Sequence, residues 1–244
     1  MGILSTAALL LKHSTATGLV AAKLVVCPVI PPPQVNVYFA ARKTIYNNDY
    51  SEAQLAQGLT TPSGTALASH AGDSDNQESL HGVTMRQIGH HFRMGFNIWS
   101  DKDGNACLYF EHATFTITYQ ATVFIAKEIM DDQCYADVVR THENRHIIID
   151  IDTIQEHIPA IKAEILQHMR DIGYQGVGPM KVEKATPKRK ELKKQLLAVT
   201  APIIQRLRLT VAQRQHKIDT PENLAQEQAH CSLPKDPAEA VPVK

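Results

Sequence analysis

Residues 131–157, DDQCYADVVRTHENRHIIIDIDTIQEH, decide how this chain folds and where chemistry can sit. Asp131 and Asp132 offer an N-cap and an acidic first turn. The spacing beyond them predicts a helix from about 133 to about 157. Pro159 interrupts the pattern, and a second helix is expected over 160–171, ending near Gly173. Ile147-Ile148-Ile149 requires that the first helix be buried on one side. Within it lies His142-Glu143-Asn144-Arg145-His146. Residues i and i+4 share a helix face one turn apart, so both imidazoles can reach one zinc ion. Glu143, beside the first histidine, can reach a water held there, whose pKa zinc lowers from about 15.7 to about 7. Glu143 is therefore the candidate catalytic residue, a general base that takes the water proton and hands it to a leaving amine. Such a pattern arises by chance in roughly three chains per hundred of this size and composition, so its context matters.

Upstream the periodicity changes to two. Val35, Val37 and Phe39 alternate as in a strand, and Ser51-Glu-Ala-Gln54 is a capping box opening a short helix that ends at Gly58. Residues 60–79, rich in Thr, Ser, Gly, Asp and Asn, read as a long surface loop. Residues 82–99 are expected to be extended, followed by a hairpin turn at Asp101–Gly104 and a second extended run over 106–126. Thr186-Pro187 and Thr220-Pro221-Glu222 each join a capping residue to a proline, and both are expected to open helices. Pro202 is expected to kink the first of these.

The chain has 244 residues, with 43% hydrophobic and 20% charged side chains, enough for a sizeable core and incompatible with a wholly disordered protein. Lys+Arg and Asp+Glu both number 25, so the net charge is zero and no nucleic-acid partner is expected. Twelve histidines point toward metal chemistry. Cys27, Cys107, Cys134 and Cys231 form no CxxC pair, which excludes a zinc knuckle. They suit disulfides in an oxidising compartment or thiols in the cytosol. Cys107–Cys134 and Cys134–Cys231 are equal choices for a bridge. No run of 18 apolar residues occurs, so no transmembrane span is expected. Residues 1–33 read as a leader or degenerate export signal followed by the stiff spacer Pro28 to Pro33.

Residues 181–217 hold eleven Lys/Arg and two acids, a net +9. Leu192, Leu196, Leu197, Val199, Ile203, Ile204, Leu207 and Val211 are spaced as one apolar helical face. The opposite basic face suits an anionic membrane surface or an acidic partner. No aromatic residue lies in this stretch to stack bases.

The motif resembles the HExxH zincins as a class. Cys107 to Ala126, Cys134, HENRH and the helical segment up to about Gly173 together resemble a bacterial family of secreted zinc-dependent proteases, grouped as a domain of unknown function. The resemblance implies an α+β zincin-like domain, with a small antiparallel or mixed sheet on an HExxH helix. It implies Zn2+ held by His142 and His146, hydrolysis of a peptide or protein substrate, and a secreted or periplasmic location. It supplies no substrate.

Two departures leave the third zinc ligand open. Metzincin motifs place a glycine where this chain has Ile149, so the helix continues and Asp152 rotates away from the metal. The gluzincin pattern takes a glutamate from the next helix, for which Glu164 is a candidate. Asp150 shares the histidine face but stands too far along it, and suits holding an imidazole in place. Glu156, His157, His216 and Asp219 are further candidates, the last two if 216–219 folds back. Tyr119 and Glu128 flank the strand expected to lie along a substrate, though packing accounts for the tyrosine and solvation for the glutamate more simply. Adjacent strand residues point to opposite faces, so His90 and His91 cannot chelate together and read as structural. Trp99 reads as core or rim packing. The expected organisation is a leader and spacer over 1–33, a zincin-like catalytic domain over 34–175, a basic helical extension over 176–231 and a flexible tail over 232–244. An alternative is a non-catalytic envelope binding or scaffolding protein, using the basic helix and a structural or vestigial metal site.

Overall fold

The computed structural model describes residues 26–57, 81–174 and 176–232. The loop expected over 60–79, the leader before residue 26 and the tail beyond 232 lie outside them. The described chain is α+β. Its centre is β4 (Asn105–Ile125), against which every other strand pairs. The strands β1 (Gln34–Ala41) and β2 (Ile45–Asn47) run parallel to β4, while β3 (Gly82–Ser100) and β5 (Val177–Lys181) run antiparallel. The sheet is therefore mixed, not antiparallel.

The β3–β4 hairpin turns where expected. Asp101 Oδ1 accepts the backbone N–H groups of Asp103 at 2.9 Å and Asn105 at 2.8 Å, and Gly104 supplies the positive φ of 73° that closes the loop. On β4 the odd-numbered residues from Ala113 to Val123 are buried, with Phe115, Ile117 and Tyr119 among them. That period of two places one face of the sheet against the helices.

The helix after β4 is longer than its sequence suggests. α2 (Gln133–Asp171) is one continuous helix of 39 residues, capped by the Asp132 side chain on the Tyr135 N–H at 3.1 Å. Pro159 lies inside it without dividing it. The physical reason is position: Pro159 and Gln155, whose carbonyl loses its partner, are both exposed, so water satisfies that carbonyl. Burial of Ile154, Ile161, Ile165 and Met169 on the other side holds the two halves in line.

The same logic moves the start of the next helix. α3 (Val182–Gln215) begins four residues before Thr186, with Pro187 and Pro202 both inside and both exposed. The glycine-rich break before it contains β5, which the turn residues concealed. β5 pairs with β4, and Leu192, Leu196, Ile203, Ile204, Leu207 and Val211 of α3 belong to the same core as the sheet and α2. Most of the apolar face of α3 is thus covered by the sheet and α2, and its basic face points outward.

Two short helices complete the fold. α1 (Glu52–Ala56) carries the full capping box between Ser51 and Gln54, and its Leu55 packs with Phe124 and Ala126. α4 (Pro221–Ser232) follows Thr220, whose hydroxyl accepts the Asn223 N–H at 3.2 Å. Cys27–Cys107 ties the proline spacer to β4, and Cys134–Cys231 ties the end of α4 to the first turn of α2. No cysteine among the described residues is free. No described helix is long and apolar enough to cross a membrane.

Candidate metal centre

His142 and His146 project from one face of α2, as i and i+4 must. Their Nε2 atoms are 3.1 Å apart. Asp219, in the turn between α3 and α4, brings Oδ1 to 3.3 Å from His142 Nε2 and 2.9 Å from His146 Nε2. These three atoms form a nearly equilateral triangle that could hold a metal ion. A tetrahedral zinc site with bonds of about 2.05 Å has ligand edges of about 3.3 Å, close to all three sides.

The outer side of each imidazole fixes its proton. His142 Nδ1 faces Glu227 Oε2 of α4 at 2.9 Å, and Arg145 Nη2 bonds the other oxygen of the same carboxylate. His146 Nδ1 bonds Gln215 Oε1 at the end of α3. The Gln215 amide cannot be reversed, because its Nε2 donates to the His146 carbonyl at 2.9 Å and to Asp150 Oδ1. Both Nδ1 atoms are then the N–H donors. Both Nε2 atoms face the Asp219 carboxylate, so each either donates an N–H to it or turns its lone pair to a shared cation.

Burial would raise the Asp219 carboxyl, but hydrogen bonds to His142 and His146 and their charges hold it well below the usual range. Burial works against the charged form of His146, yet Asp219, Glu143 and Gln215 outweigh it and raise its pKa. Asp219 Oδ2 is buried with no hydrogen-bond partner among the described residues, so one ligand oxygen is still unsatisfied.

Glu143 is buried on the sheet side of the motif. Its Oε2 accepts the Thr84 hydroxyl of β3 at 2.6 Å. Gly82 makes the space, since a Cβ there would stand 2.7 Å from Glu143 Oε1 and 2.6 Å from Val139 Cγ1. Burial raises the Glu143 pKa, with the His146 charge, the Thr84 hydrogen bond and His142 opposing it. An upward shift makes a carboxylate a stronger base. The motif's Asn144 is held from the other side by Tyr46 of β2 at 2.6 Å.

The remaining candidates fall elsewhere. Asp152 is exposed, Glu164 pairs with Arg206 at 2.6 Å, and Glu156 pairs with Arg214 at 2.7 Å. His157 bonds the Thr153 carbonyl at 2.7 Å, and His216 is exposed. Asp150 is fully buried and accepts the Tyr119 hydroxyl at 2.8 Å, so it steadies His146 only through Gln215. Burial and the Asp150 charge push the Tyr119 hydroxyl upward, and it presents no proton to a substrate. Glu128 is exposed and accepts the Glu52 N–H at 3.1 Å. His91 accepts from Arg93 at 2.9 Å, while His90 stacks near Phe115. Trp99 is at the rim, 37% exposed.

Sequence reasoning offered Asp219 as one of seven ligands and missed Glu227, Gln215 and Thr84. The signal for Glu227 was the cysteine pairing. Cys231 lies one turn beyond Glu227 and Cys134 two turns before His142, so bridging them lays α4 along the motif. A scan against protein-family models and searches of curated proteins and solved structures return no match for this chain.

Proposed function

We propose that the chain is a zincin-like, zinc-dependent peptidase of an oxidising compartment. The convergence of His142 Nε2, His146 Nε2 and Asp219 Oδ1 carries this reading, with Glu143 adjacent on the same helix turn. His142, His146 and Asp219 would hold the metal, which when bound supplies Lewis-acid charge and lowers the pKa of water at its open position. Glu227 and Gln215 orient the imidazoles so that both present Nε2 lone pairs. Thr84 fixes the Glu143 carboxylate, whose part is to take a proton from the attacking water and deliver it to the leaving amine. Among the described strands β3 pairs only with β4, leaving its other edge for an extended peptide backbone. Two disulfides suit secretion.

The test is metal content by elemental mass spectrometry on protein purified without chelator or histidine tag. About one zinc per chain is expected, lost in His146→Ala and kept in Glu143→Gln. The latter should lose hydrolysis of a peptide library by at least about a hundredfold. Full activity in Glu143→Gln, or no zinc in the unaltered chain, overturns the proposal.

The exposed Lys184, Arg189, Lys190, Lys193 and Lys194 favour a second reading, a binding protein that meets an acidic partner through α3. Such a complex would dissociate between low and physiological salt, whereas hydrolysis at a buried metal would respond little.

A further inference from the structure

A cavity of about 540 Å³ opens between the sheet and α3, and none of its lining residues belongs to the metal cluster. Three arginines line it: Arg42 after β1, Arg86 of β3 and Arg208 of α3. No aspartate or glutamate does. Each guanidinium is steadied by one contact. Arg42 Nη1 donates to Gln120 Oε1 at 3.3 Å, and Arg208 Nη2 donates to the Ile88 carbonyl at 2.7 Å. Arg86 Nε stands 3.9 Å from Asp150 Oδ2, a carboxylate fully buried behind the wall and already engaged by Tyr119 and Gln215. Among the described residues no other acid pairs with any of the three.

Three guanidiniums, two of them on exposed residues, against the one buried Asp150 carboxylate leave the cavity net positive, and its concave wall concentrates that field. A guanidinium held at one nitrogen still offers N–H groups in a plane, the geometry that fits an oxyanion. Gln87 and Thr118 add neutral hydrogen-bonding groups, and Gly89 leaves the wall open, since a Cβ there would stand 2.7 Å from Thr118 Oγ1. The volume is in the range of small-molecule sites.

The geometry points to an oxyanion-binding site in this cavity, for a carboxylate or phosphate carried on a small polar molecule. It stands apart from the metal chemistry, because none of its lining residues is a ligand of the His142–His146–Asp219 cluster.

Calorimetric titration of the full chain at low salt, with citrate, inorganic phosphate and pyrophosphate as separate probes, tests it. Saturable 1:1 binding of at least one probe is expected, weakening as salt rises. Citrate alone would assign a carboxylate ligand, and phosphate or pyrophosphate alone a phosphoryl one. Arg42→Gln with Arg208→Gln should weaken binding at least tenfold. Lys190→Gln with Lys193→Gln, the same charge change on the outer face of α3, should leave it within twofold. Arg42→Gln alone, which removes only an exposed contact to Gln120, should cost threefold or more and guards against misfolding of the double variant. Absence of saturable binding by all three probes overturns the assignment, as does equal weakening by the lysine pair. Repeating the titration on His146→Ala keeps it separate from the metal reading, since binding should be unchanged there.

Discussion

Thr84 shows how much one hydroxyl can decide. It holds Glu143 at 2.6 Å in a space that exists because residue 82 is glycine. Thr84→Val keeps the shape and removes the donor, leaving a buried carboxylate with less support. The expected result is unchanged metal content with peptide hydrolysis reduced roughly tenfold or more, by the free-energy equivalence of about 1.4 kcal/mol per decade. Loss of metal in that variant would contradict the placement. Glu227→Gln acts on the other side. It removes the anion that orients His142 and pairs with Arg145, and metal affinity should fall about 10- to 100-fold, read by competition with a chromogenic chelator. His142, Glu143 and His146 were legible in sequence because helix periodicity alone brings them together. Thr84, Gln215 and Glu227 were not, because their positions follow from how strands and helices pack, which no local spacing encodes.

Among elements, the prolines teach most. A proline in a helical pattern reads as a stop at Pro159, a start at Pro187 and a kink at Pro202, yet the helices run through all three. All three lie on the solvent side, where water takes the freed carbonyl, while the apolar side of each helix stays locked in the core. Pro159→Ala therefore restores a hydrogen bond from residue 159 to the Gln155 carbonyl without disturbing packing. Thermal or urea unfolding should show a gain of about 1–3 kcal/mol, reduced by the greater freedom of the unfolded chain. A loss of stability would mean that the bend proline imposes is needed. The β3–β4 pair was readable because alternation and the Asp101–Gly104 turn are local signals. β5 was not, since Gly176, Gly178 and Pro179 look like a loop until β4 provides a partner.

For the whole molecule, the two bridges close sequence separations of 80 and 97 residues. In the chain-entropy treatment, loops of that length contribute on the order of 4–5 kcal/mol each by limiting the unfolded ensemble. Reduction should lower the melting temperature by roughly 10 °C or more at this chain size, measured by calorimetry with and without a phosphine reductant. An unchanged melting temperature would show that packing alone carries the fold. The long strands and the buried helix were legible from periodicity, and the α+β class from the resemblance that HENRH carries. The single core was not, because the apolar face within 181–217 does not by itself say that its partners are the sheet and α2.

The centre draws on residues 142, 146 and 219, with Glu227 behind them. A chain still being synthesised therefore carries the histidine pair long before it carries the carboxylate that completes the triangle. Nearly all of the fold must be in place before the site exists. Completion of the centre is thereby tied to completion of the fold, so a copy truncated before residue 219 lacks the triangle altogether.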